Sequence, residues 1–174
     1  MKFNLTYTIQ ILNNTPQVIR NLLSDLPDEL VHSNEGGDSW SPYDIVGHLV
    51  HGERTDWFPR TEIILSNKEN KKFIPYDRFA QFEESKGKSL EDLLNEFSEL
   101  RIENIHKLKN MDIDEEKLNM EGIHPEFGNV TLRELLSTWA AHDLTHIAQI
   151  SRVLAKQYKE EIGPWIKYFD KLKA

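Results

Sequence analysis

Two histidines set four apart, His142 and His146 in the run HDLTH, occupy positions where the sequence otherwise places apolar residues. The stripe steps by three and four through Leu132, Leu135, Trp139, His142, His146, Ile150 and Val153. On a helix such residues share a face, one turn apart, and two imidazoles so placed can converge on one ion. Standing alone, the pair also fits two hydrogen-bonded structural histidines. A third candidate donor lies far upstream. His48 sits beside an apolar face carrying Ile45 and Leu49, and Gly52 one turn on leaves room for an ion or a packed helix. His51 shares that side as a substitute ligand, a supporting group or a solvated residue, so spacing leaves the third ligand open between His48 and His51. Three neutral imidazoles on Zn²⁺, Ni²⁺ or Fe²⁺ leave positions open for water or substrate, a catalytic pattern rather than a closed structural one.

Other residues invite weaker readings. HDLTH resembles the zinc-protease signature H-E-x-x-H, with Asp143 at the position of the general base but one methylene shorter. The reading favoured for Asp143 is a carboxylate that orients a histidine or caps a neighbouring helix. Glu53 either approaches the site or pairs with Arg54 or Arg60. His124, in the loop EGIHPEFGN, either reaches a pocket mouth or is exposed, and His32 and His106 have no evident partners.

Composition narrows the chemistry further. The chain has 174 residues and no cysteine, which removes thiolate metal sites, iron–sulfur clusters, disulfides and a cysteine nucleophile. Its net charge of -8 argues against binding a phosphate backbone, so no nucleic-acid partner is expected and a small molecule is. No stretch approaches the ~18 continuous apolar residues of a membrane span, and the opening MKFNLTYTIQILNN is too interrupted by polar residues for a signal peptide. A cytoplasmic protein of one domain, residues 1–174, is the expectation.

Helices must position these residues. The first is expected over about Leu5 to Ser24, kinked or split where Thr15-Pro16 offers a fresh N-cap. The second starts at Ser41-Pro42 and runs to about Ser66, bending at Pro59. The third starts at Ser89, with Asp92 three residues on, and the fourth at Thr131, with Glu134 completing a capping box. A short helix is expected at Pro164-Trp165. No segment reads as a sheet: Val130-Thr131 is too short and Phe73-Ile74-Pro75-Tyr76 is broken by proline. Long amphipathic helices joined by polar loops give an all-α four-helix bundle. The loop from Asn67 to Lys88 carries Phe73, Tyr76, Phe79 and Phe82, and long loops of this kind act as lids or packed covers.

The stretch W-S-P-Y-D-I-V-G-H-L-V-H-G-E, followed much later by H-D-L-T-H-I-A-Q-I, resembles the DinB/YfiT-like superfamily, with similarity extending through DRFAQFEESKGKSL and the stretch between His124 and Thr131. The resemblance implies a four-helix bundle, usually a homodimer, with a divalent metal held by three histidines at one end. It assigns the first ligand to His48, eight residues after Trp40, rather than His51, and the others to His142 and His146. Members include thiol-dependent transferases and a maleylpyruvate isomerase using bacillithiol or mycothiol, alongside metal-dependent hydrolases and DNA-damage-inducible proteins. The leading expectation is therefore thiol S-transferase activity on small electrophiles. It would use zinc, nickel or iron and a low-molecular-weight thiol, with Arg78 holding a carboxylate of the thiol and Phe79 and Phe82 covering the substrate. The alternatives are a hydrolase using metal-bound water, with His51, Glu53 or Asp143 as base, and a non-catalytic metal-binding stress protein.

Overall fold

A computed structural model describes residues 2–173, apart from the side chains of Lys171 and Lys173. In chain order it comprises α1 (Leu5–Leu23), α2 (Asp28–His32), α3 (Pro42–Thr55), α4 (Trp57–Leu65), α5 (Ala80–Glu84), α6 (Leu90–Lys109), α7 (Glu115–Leu118), strands β1 (Glu121–His124) and β2 (Gly128–Thr131), α8 (Leu132–Lys156), a 3₁₀ turn at Gly163–Tyr168 and α9 (Asp170–Lys173). The long helices start where the capping residues predict. Ser41, Ser89 and Thr131 each accept from the backbone N–H three residues on, and Asp44, Asp92 and Glu134 reach back to the cap.

Two apolar clusters fill the bundle. One gathers Leu12, Trp57, Ile64, Ile105, Leu136 and Trp139, and the other Ile19, Ile45, Leu49, Leu94, Phe97, Ile150 and Val153. Each long helix therefore runs from one cluster to the other. α1 and α8 pass from the first to the second, while α3–α4 and α6 pass from the second to the first. The order is up, down, down, up, and α3–α4 and α6, running the same way, need the long connection through α5 to return the chain.

Between the clusters lies a charged layer centred on Arg101 of α6, 1% exposed. Its Nη1 donates to Asp143 Oδ2 at 2.6 Å and to the Leu12 carbonyl at 2.7 Å; Nη2 donates to Glu53 Oε1 at 2.8 Å and Asp143 Oδ1 at 3.0 Å. One guanidinium thus ties α6 to α1, α3 and α8. The bond to Leu12 explains why α1 runs unbroken from Leu5 to Leu23 with Pro16 inside it, so that of the expected kink or split the split does not occur. Proline has no N–H to offer the carbonyl four residues back, and that carbonyl belongs to Leu12.

The second predicted helix is two. It breaks at Asp56 (φ -113°, ψ -72°), not at Pro59. Pro59 falls in the first turn of α4, where N–H groups have no intrahelical acceptor, and its ring would crowd the Thr55 carbonyl if α3 continued straight. The larger correction is a β-hairpin, where no sheet was expected. Glu121 to His124 pair antiparallel with Thr131 to Gly128. The loop segment at Lys72 joins alongside: Phe73 N donates to the Ile123 carbonyl and Ile123 N to the Lys71 carbonyl, both at 2.9 Å. A Cβ at Gly122 would lie 2.5 Å from Phe73 Cε1, so glycine there lets the ring lie flat on the strand. No helix among the described residues is long and apolar enough to cross a membrane.

Candidate metal centre

α3 and α8 bring His48, His142 and His146 together. His142 Nε2 lies 2.9 Å from His48 Nε2 and 3.0 Å from His146 Nε2. Each residue offers one nitrogen to a common group that could hold a metal ion. The donor set fits such an ion. Metal–imidazole bonds of ~2.0–2.1 Å require nitrogens only slightly farther apart than these, and without a proton or cation between them their lone pairs would face one another. Their outward nitrogens support this orientation in two cases. His48 Nδ1 pairs with the Tyr76 hydroxyl at 3.1 Å, and His146 Nδ1 with Gln149 Oε1 at 2.8 Å; His142 Nδ1 is buried without a partner among the described residues.

The surroundings keep the rings neutral. Burial lowers the His48 pKa to about 3, with His146, His51 and Arg78 adding to the effect. His142 falls to about 2 for the same leading reason, helped by His146, His48 and Arg101. His146 is also lowered by burial, against the opposing pull of Gln149 and Asp143. A neutral imidazole is the form that binds metal. Burial likewise raises the Tyr76 phenol, so it stays protonated beside His48.

Of the other sequence candidates, none joins the triad. His51 is buried and turns Nδ1 to both carboxylate oxygens of Glu84 at 3.1 Å, so it is neither solvated nor a substitute ligand. Glu53 does not pair with Arg54 or Arg60. It accepts from Arg101, from Trp139 Nε1 at 3.0 Å and from Asn104 Nδ2 at 3.0 Å. Asp143 neither orients a histidine nor caps a helix, because both its oxygens are taken by Arg101. The room left by Gly52 is filled by the Trp57 indole, whose Nε1 would lie 3.2 Å from a Cβ there. His32 packs against Tyr43, and His106 lies 3.5 Å from Asn110 Nδ2.

A cavity of about 530 Å³ opens beside the triad and is lined by both His48 and His142. Trp57, Phe73, Tyr76 and Phe127 stand in its walls, and its polar groups include Asp56, Arg60, Arg78, His124, Glu126 and Glu134. His124 does reach the mouth, from the end of β1. Phe79 and Phe82, expected to cover a substrate, are not part of the wall: Phe79 is 63% exposed and Phe82 packs edge-on against Trp40. Sequence reasoning missed Asp56 and Arg60, which a helix break places at the cavity, and Phe127, which depends on the hairpin.

Comparison with known proteins agrees with this architecture. Among curated proteins no sequence matches the chain. Among solved structures, YfiT from Bacillus subtilis, described as a probable metal-dependent hydrolase with an unusual four-helix bundle topology, aligns with a TM-score of 0.74 at 20% identity, covering 87% of this chain and 86% of that one. The family model described as DinB superfamily matches residues 11–150, a span holding all three converging histidines, and the chain belongs to that superfamily.

Proposed function

We propose that His48, His142 and His146 hold a divalent ion through Nε2 and that the protein is a metal-dependent enzyme acting on a small molecule in the adjoining cavity. The observation that carries this reading is the convergence of three neutral imidazoles at the edge of a cavity large enough for a substrate. A divalent ion there supplies Lewis acidity and lowers the pKa of the small nucleophile it binds. The chain's own residues do the rest. Tyr76 and Gln149 orient two of the rings, and Trp57, Phe73 and Phe127 offer apolar surface to the substrate.

The nucleophile we favour is a low-molecular-weight thiol. The residues first considered as a base for water are engaged elsewhere: Glu53 and Asp143 with Arg101, His51 with Glu84. A thiol, with a pKa near ~8.5 before any lowering, has far less need of one. The hydrolytic reading has support of its own. Asp56 lines the cavity with its pKa raised by burial, against the opposing charge of Arg60, as suits a base, and YfiT is described in hydrolytic terms. The two separate in one assay. The zinc- or nickel-loaded protein is given 1-chloro-2,4-dinitrobenzene with a series of thiols, and a panel of esters and amides without thiol. The expected result is conjugation that requires metal and thiol and is lost in His142→Ala. Thiol-independent ester or amide turnover would replace this with hydrolysis, and no metal-dependent rate in either arm would contradict an enzymatic role.

A further inference from the structure

Arg60 stands on α4 with 7% of its surface exposed. Its Nε lies 2.6 Å from Asp56 Oδ1, and its guanidinium carbon lies 5.1 Å from the centre of the Phe73 ring. Neither Nη atom donates a hydrogen bond to any described residue, yet the side chain lines the cavity. A guanidinium has five N–H donors in a planar fork. The four on Nη1 and Nη2 have no acceptor among the described residues and are left for whatever enters the open cavity.

The neighbouring groups fit the same kind of ligand. Arg78, at the rim, lies 5.4 Å from the Phe79 ring and forms no ion pair among the described residues. His124 Nδ1 accepts from the backbone N–H groups of Glu126 and Phe127, both at 3.2 Å, which places the ring proton on Nε2 and makes it a donor. Of the carboxylates in the lining, Asp56 stands against Arg60, Glu134 closes the α8 capping box, and Glu126 sits exposed in the hairpin turn. Trp57, Phe73, Tyr76 and Phe127 line the same cavity as these donors and His48.

We propose that the cavity selects a small molecule with an apolar body and a carboxylate, that this carboxylate is held by the Nη donors of Arg60, and that Arg60 is the residue determining that specificity. A planar carboxylate matches the fork of the guanidinium with two parallel hydrogen bonds. The inference builds on the reading of the cavity as a substrate site, but not on the ion, and the test keeps the two apart.

Calorimetric titration of the full chain with 3-phenylpropionate and with 3-phenylpropionamide compares an acid with its neutral counterpart, first after chelation and dialysis, then after zinc loading. The acid is expected to bind about 10–100-fold more tightly than the amide, the range for a charge-assisted pair, in both preparations. Arg60→Gln should abolish that preference, and Arg60→Lys, which keeps the charge without the fork, should reduce it. Circular dichroism reports whether each variant folds; if Arg60→Gln does not, Arg60→Lys decides. Equal affinity for acid and amide, binding of neither, or an undiminished preference in the folded variants would overturn the proposal. A preference present only with zinc would also overturn it, by assigning the carboxylate to the ion. Failure of zinc binding itself would leave the acid–amide comparison intact.

Discussion

A histidine buried among other imidazoles resists protonation, and that resistance has a measurable consequence. His48 and His142 have pKa values lowered to about 3 and about 2, against about 6.5 in an unfolded chain. Between those limits the unfolded state takes up protons that the folded state refuses, so stability falls as the pH drops below about 6.5 and is flat above it. For each of the two residues the loss at pH 5.5 lies between about 1 and 2 kcal/mol. Urea unfolding of the metal-free protein at pH 7.5 and 5.5 measures it. The drop should shrink by about 3 kcal/mol in a His48→Asn, His142→Gln double variant, and an equal drop in that variant would place the pH dependence on other groups. The pairing of His142 with His146 was legible in the sequence because their spacing follows the helical repeat. The choice between His48 and His51 was not legible from spacing. It turns on Glu84, a residue of the long loop, engaging His51 while Tyr76 engages His48.

At the level of elements, the helix starts were the most readable feature, because a capping box is local: Ser41 with Asp44, Ser89 with Asp92 and Thr131 with Glu134 need nothing from the rest of the molecule. The departures all come from distant partners. Pro16 was expected to kink or divide α1, and the helix is not divided: Arg101, on α6, donates to the carbonyl that Pro16 leaves free. Val130-Thr131 was too short to read as a strand until paired with Glu121-Gly122 and braced by Phe73. Arg101 carries the clearest prediction at this scale. Replacing it with methionine leaves Glu53 and Asp143 buried without their cation and the Leu12 carbonyl without a donor. Breaking a buried ion pair in this way costs about 3–5 kcal/mol. Urea unfolding should show a loss of that size for Arg101→Met, partly recovered by adding Glu53→Gln and Asp143→Asn. A loss below about 1 kcal/mol, the range of ordinary surface changes, would contradict the role given to the charged layer.

For the molecule as a whole, the bundle brings one face of α3 and one face of α8 together, while the long loop and the hairpin add a wall that neither helix could build. That division explains what could be read in advance. The three converging histidines lie on long periodic helices, whereas Tyr76, His124 and Phe127 lie in loop or hairpin segments and Arg60 follows a helix break, and their placement depends on tertiary pairing. On the proposed reading, this architecture holds one divalent ion at the edge of the cavity. Anomalous diffraction at the zinc edge, from crystals of the zinc-loaded chain, tests it most directly. The predicted result is one strong peak bonded at about 2.0–2.1 Å to Nε2 of His48, His142 and His146. Zinc bound only at other residues, or no peak beside these histidines after loading, would contradict it.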